Sequence, residues 1–77
     1  VIGGEFMNKQ NLIKNARKEK GFSQEHVSRH LDISLRHYQN VESGKTLPNV
    51  ITGLRLARLL DYDPFALFMV DNSDKNE

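Results

Sequence analysis

The chain contains no cysteine. Disulfides and thiolate metal sites are therefore excluded, and a domain this small must be held by its core alone. The absence fits a reducing compartment without requiring one. No apolar run approaches the roughly 20 residues that span a bilayer, and no leader pattern opens the sequence. A cytoplasmic protein with no membrane partner is expected. Period-two strand patterning is missing as well, as are a Gly-rich phosphate loop, a nucleophile elbow and a paired-carboxylate site. These absences argue against an enzyme and against a bound cofactor.

A strong charge of either sign is also missing: 11 basic residues face 10 acidic ones, for a net +1. Residues 1–6, VIGGEF, read as an expression-tag remnant ahead of Met7, and residues 71–77 as a polar, disordered tail. The domain between them, residues 7–70, carries 10 basic and 6 acidic side chains, a net +4. That is a mild bias toward polyanions, short of the pI above about 9 that flags a nucleic-acid binder unaided. The domain leaves no room for a separate ligand-sensing unit, so no small-molecule ligand is expected.

What the sequence does contain is a regular series of helix starts and stops. Helix 1 is expected from about Asn8 to Lys20, with Leu12, Ile13 and Ala16 inward, Lys9, Lys14, Lys18 and Lys20 mostly outward, and Gly21 ending it. Ser23 caps helix 2, with Phe22 as the apolar residue before it and Val27 and Leu31 as its buried stripe. Asp32 then occupies a left-handed position. Ser34 caps helix 3, which Gly44 ends after Ser43. Pro48 punctuates a turn, Asn49 caps helix 4, and Leu54, Leu56, Ala57, Leu59 and Leu60 supply its apolar surface. Asp63 and Pro64 start a short helix 5 running to about Met69. The expected fold is a compact all-α domain of five helices, with a helix-turn-helix at its centre.

Helix 3 is the element with chemistry to offer. At about 100° per residue, Tyr38 points inward flanked by Ser34 and Val41, while Arg36 and Asn40 point outward. Gln39 and His37 edge that outer face, and Leu35 lies near its start. Arg suits guanine O6 and N7, Asn and Gln suit adenine N6 and N7, and Leu can meet a thymine methyl. Glu42 lies about 40° from Tyr38 on the core side. A buried carboxylate needs a cation, and Arg17 beside the apolar face of helix 1 is its expected structural partner.

Taken together, Arg17, Gly21, Ser23-Gln24-Glu25, Val27, Leu31, Ile33-Ser34, Tyr38, Val41-Glu42-Ser43-Gly44-Lys45, Pro48 and Leu56-Ala57, with Leu67-Phe68 at the end, resemble the phage-repressor-like helix-turn-helix family. This is the Cro and lambda-repressor type, often called XRE. The likeness covers about Ile13 to Phe68 and implies a five-helix regulator that binds operator DNA as a dimer, its second motif helix in the major groove. It places Leu35, Arg36, Gln39 and Asn40 at base-reading positions. Gln24 falls where a phosphate is gripped, and amides at a helix N-terminus suit that anion on their own account; Ser23, His37 and Lys45 are the further expected phosphate contacts. The Arg17–Glu42 pair is a recurring bridge in such proteins.

The sequence departs from that pattern at several points. Asp32 and Asp61 replace glycines, His26 replaces the Glu of a capping box, and Ser28 replaces an alanine. Gly53 stands where a core Leu is common, which predicts a gap or altered packing. Ile51 and Phe65 stand where exposed acids are common. With Met69 they are expected to form a dimer surface. The sequence admits two other uses. His26 and His30 at i, i+4 form a possible metal pair, but they lack the Glu of a zincin motif and any nearby Cys, so no metal is expected. The same fold could instead dock on a protein after losing DNA contact. That would require acidic or apolar residues in place of Gln24, Arg36, Asn40 and Lys45.

Overall fold

Four helix ends in this chain are built the same way, and that repetition sets the architecture. The computed structural model describes residues 12–68; the expected tag remnant, the tail and Met69 lie outside them. Helix α1 occupies residues 12–19 of the described chain. It is followed by α2 (Gln24–Leu31), α3 (Leu35–Ser43), α4 (Val50–Leu59) and α5 (Pro64–Leu67). No strand occurs among the described residues.

The starts of α2 to α5 are each a polar side chain closing the first turn. Ser23 accepts from the His26 N–H, Ser34 from His37, Asn49 from Thr52 and Asp63 from Ala66. Each such cap contributes about 0.5–2 kcal/mol. The stops of α1 to α4 each carry a left-handed residue whose neighbour's N–H reaches back five positions, the Schellman arrangement. Phe22 N–H donates to the Arg17 carbonyl, Ile33 to Ser28, Lys45 to Asn40 and Tyr62 to Ala57. The left-handed residues are Gly21, Asp32, Gly44 and Asp61, with φ of 77°, 59°, 86° and 58°. The two aspartates therefore occupy the glycine role directly, which Asp tolerates better than most side chains.

The helices enclose one core. Ile13, Ala16, Val27, Leu31, Tyr38, Val41, Leu56, Ala57, Leu60 and Leu67 are buried, and Leu12, Phe22, Ile33, Leu59 and Phe68 pack against them. Burying one such large apolar side chain contributes about 1.5–3 kcal/mol. Helix α2 packs against both α3 and α4, and α5 closes on α4. The helix-turn-helix pair is thus backed on its inner side and, among the described residues, open on its outer side.

Four expectations change. Ser34 does not flank Tyr38 inside: it is exposed, because a cap has extended backbone (φ −69°, ψ 156°) and the helical wheel does not extend to it. The apolar surface expected of helix 4 is not all on one side: Leu54 is half exposed, being turned about 100° past the buried Gly53. Helix α5 ends at Leu67, with Phe68 as its cap, short of Met69. Gly53 leaves no gap either. A β-carbon there would meet the Phe68 ring at 3.4 Å and Pro48 at 3.5 Å, both ordinary contact distances. Gly53→Ala is therefore expected to stabilise the fold by up to about 1 kcal/mol through helix propensity. Thermal melting checks this, and a lower midpoint would show that the Phe68 ring cannot yield.

Candidate nucleic-acid interface

The outer face begins with the first turn of α2. Ser23 is occupied with the His26 amide, which leaves the Gln24 and Glu25 N–H groups of the first turn without intrahelical partners. Where Glu would complete a capping box, the His26 ring instead lies against Phe22, centroids 4.7 Å apart. Gln24 is half buried and faces two ways. Its Nε2 donates to Glu42 Oε2 at 3.2 Å, and its Oε1 accepts from Gln39 Nε2 at 3.1 Å. The start of α2 and the outer face of α3 are therefore adjacent.

Along α3, Leu35, Arg36, His37 and Gln39 are exposed, and Asn40 is half buried. Asn40 is less open than its place opposite Tyr38 suggested, because the chain folds back beside it. The Lys45 and Thr46 amides both donate to its carbonyl, at 2.9 Å and 3.3 Å. That same turn carries exposed Lys45 to the far end of the face. Among the described residues, neither Arg36 nor Lys45 has a carboxylate partner. Among the described residues, the face thus keeps unneutralised cationic donors on α3 and just beyond it.

Beneath the face lies a buried ion pair. Arg17 Nε donates to Glu42 Oε1 at 2.9 Å and Nη2 to Oε2 at 3.1 Å, while Nη1 donates to the Phe22 carbonyl at 2.8 Å. This bidentate geometry is the strong form of such pairs. Burial raises the Glu42 carboxyl pKa, but the Arg17 hydrogen bonds, with smaller help from Tyr38 and Gln24, outweigh it and hold it below the usual value. The hydrogen bond to Glu42 likewise holds the Arg17 pKa above its usual value, against the cost of burial. Burial, then the neighbouring carboxylate, pushes the Tyr38 phenol well above its usual value. Its hydroxyl sits beside the pair without meeting hydrogen-bond geometry to either member.

The remaining candidates are dispersed. His26 and His30 are exposed on α2, and no cluster of three potential metal ligands occurs among the described residues. Ile51 and Phe65 are exposed on α4 and α5, at 64% and 46% of their surface. They are not alone: Leu47, Val50 and Leu54 are exposed too. With Ile51 these follow an i, i+3, i+4, i+7 spacing that was visible in the sequence. Grouping Leu54 with Leu56, Ala57, Leu59 and Leu60 as one apolar surface of helix 4 hides that stripe. No described helix is long and apolar enough to cross a membrane.

With this geometry in view, comparison with known proteins is informative. A family profile described as helix-turn-helix matches residues 13–67, from the first described turn of α1 to the last residue of α5. The chain belongs to the XRE-type helix-turn-helix family. It is similar to the uncharacterized HTH-type transcriptional regulator YqaF of Bacillus subtilis, with 34% identity over 59 residues covering 77% of this chain and 76% of that one. It is similar as well to the ImmF control region 10 kDa protein of Bacillus phage phi105. That match has 35% identity over 60 residues, 78% of this chain and 67% of the phage protein. No solved structure gives a significant match. Members of this family are DNA-binding transcription regulators and normally not enzymes.

Proposed function

We propose that this chain is a sequence-specific repressor that sets residues 34–43 into the major groove of a pseudo-palindromic operator as a dimer. One observation carries the reading. The outer face of α3 holds base-edge donors and acceptors, flanked by Gln24 against Gln39 at its side and by exposed Lys45 beyond its C-terminal end. Leu35, Arg36, Gln39 and Asn40 contact bases. Ser23 and Gln24 at the start of α2, together with His37 and Lys45, contact phosphates. Arg17 and Glu42 hold α1 to α3 and touch no DNA.

Two such helices must lie about one DNA turn apart, which requires a second copy. The exposed apolar residues of α4 and α5, Ile51 and Phe65 with Leu47, Val50 and Leu54, are the proposed dimer surface, and Met69 is assigned to it from the sequence alone. Repression would follow from occupancy, the bound dimer excluding polymerase. The relative from a phage control region supports that role. The setting is cytoplasmic, on the chromosome or a phage genome.

Binding to duplex DNA measured against salt tests the reading. Log affinity should fall linearly with log salt, by about 0.9 for each phosphate neutralised. If no duplex binds even at low salt, the fold serves instead as a protein-docking module, with the apolar side of α4 as its contact surface.

A further inference from the structure

We infer that Gln24 is a positioning residue: it sets which way round the Gln39 side-chain amide faces the DNA, so that this position distinguishes a base pair from its reversal. The inference rests on the reading of α3 as the base-contacting helix and goes further by assigning polarity to one contact.

The argument is a matter of donors and acceptors. An ionised carboxylate only accepts hydrogen bonds. Glu42 is held ionised by the two-pronged contact from Arg17. Gln24 can therefore turn only its NH2 group toward Glu42 Oε2, at 3.2 Å. Its carbonyl must then face the other way, where it can be met only by a donor. Gln39 supplies that donor, Nε2 at 3.1 Å from Gln24 Oε1. Reversing either amide would set two acceptors or two NH2 groups against each other. Polarity is thus passed outward from the buried ion pair to the surface of α3. Gln39 is left presenting its carbonyl and its second N–H in one order.

That order has a consequence at the major groove. Adenine presents N7, an acceptor, and then the N6 donor; the reversed pair presents the same groups in the opposite order. A glutamine free to turn over satisfies either. A glutamine held by Gln24 satisfies only one.

The test is selection of bound duplexes from a random pool by wild type, Gln39→Ala, Gln24→Ala and Gln24→Lys. Gln39→Ala identifies the base pair concerned by flattening preference there. At that pair, wild type should favour one orientation over its reversal by about 5- to 150-fold, the range for one bidentate contact. Gln24→Ala should bring the two orientations near parity. Gln24→Lys keeps a donor toward Glu42 and a cation for phosphate, but offers Gln39 a donor where it had an acceptor. The Gln39 amide must turn over, and the preferred orientation should reverse. A role confined to phosphate or to stability cannot produce reversal.

Wild-type orientation retained in both Gln24 variants would overturn the inference while leaving the DNA reading intact. So would a preference untouched by Gln39→Ala. A wild-type protein with no sequence preference would overturn the DNA reading and this inference with it. Melting of each variant is measured alongside, and Gln24→Ala carries the test if Gln24→Lys does not fold.

Discussion

Glu42→Ala is expected to cost about 3–5 kcal/mol of folding stability, the range for breaking a buried ion pair on one side. The side chains of Arg17 and Glu42 are only 9% and 6% exposed. Removing the carboxylate strands the guanidinium, which keeps only the Phe22 carbonyl, and takes an acceptor from Gln24. Against a total of about 5–15 kcal/mol for a domain, such a loss would leave the variant partly unfolded near its working temperature. Chemical denaturation measures it. Replacing Arg17 and Glu42 together by Met should recover most of the loss, since no charge is then left unpaired.

The same pair predicts an acid dependence. The Glu42 carboxyl is lower in the folded state than its ordinary 4.5. Its contribution is therefore complete above about pH 4.5, the unfolded-state value, and is lost as pH falls through the lower folded-state value. The difference in melting temperature between wild type and Glu42→Gln should accordingly be largest near neutral pH and narrow in acid. A difference that stays constant from neutral pH down to full protonation would show that the charge of Glu42 contributes nothing. A stability effect is expected before any change in DNA preference. Unchanged melting with altered base preference would overturn the structural role given to this pair.

Arg36→Ala is expected to relax base preference at one operator position, at a cost of about 1–3 kcal/mol there. Arg36 is exposed on α3, and among the described residues no carboxylate neutralises it, so its guanidinium is available for a guanine edge. The measurement is affinity for a panel of operators varied at every position. Loss concentrated at one pair supports base contact. A loss equal across the panel would place Arg36 on a phosphate instead. Lys45→Ala is the matching control, expected to weaken all operators alike and to reduce the salt slope by about 0.9.

Much of the fold could be read from single residues because it is written in local chemistry. Ser23, Ser34, Asn49 and Asp63 each close a first turn with the amide three positions on, a contact within one stretch of chain. Gly21, Asp32, Gly44 and Asp61 are equally local stops. The partnership of Arg17 with Glu42 was accessible for a different reason: a carboxylate on the core side of a helix must have a cation, and few were within reach. Leu54 misled because α4 is apolar on more than one side, and hydrophobicity does not say which side meets the core. Asn40 misled because the return of the chain through Lys45 and Thr46 is not visible on a helical wheel.

The outer face of α3 divides along the same line. That Leu35, Arg36, Gln39 and Asn40 share one side of a helix follows from the sequence by itself, because 3.6-residue periodicity converts spacing into direction. That Gln24 lies between Glu42 and Gln39 was decided only by the tertiary structure. Periodicity assigns directions within one helix but no distances between two. A hydrogen bond near 3 Å depends on how closely α2 and α3 are held, and the core beneath them, through Val27, Leu31, Tyr38 and Val41, sets that spacing.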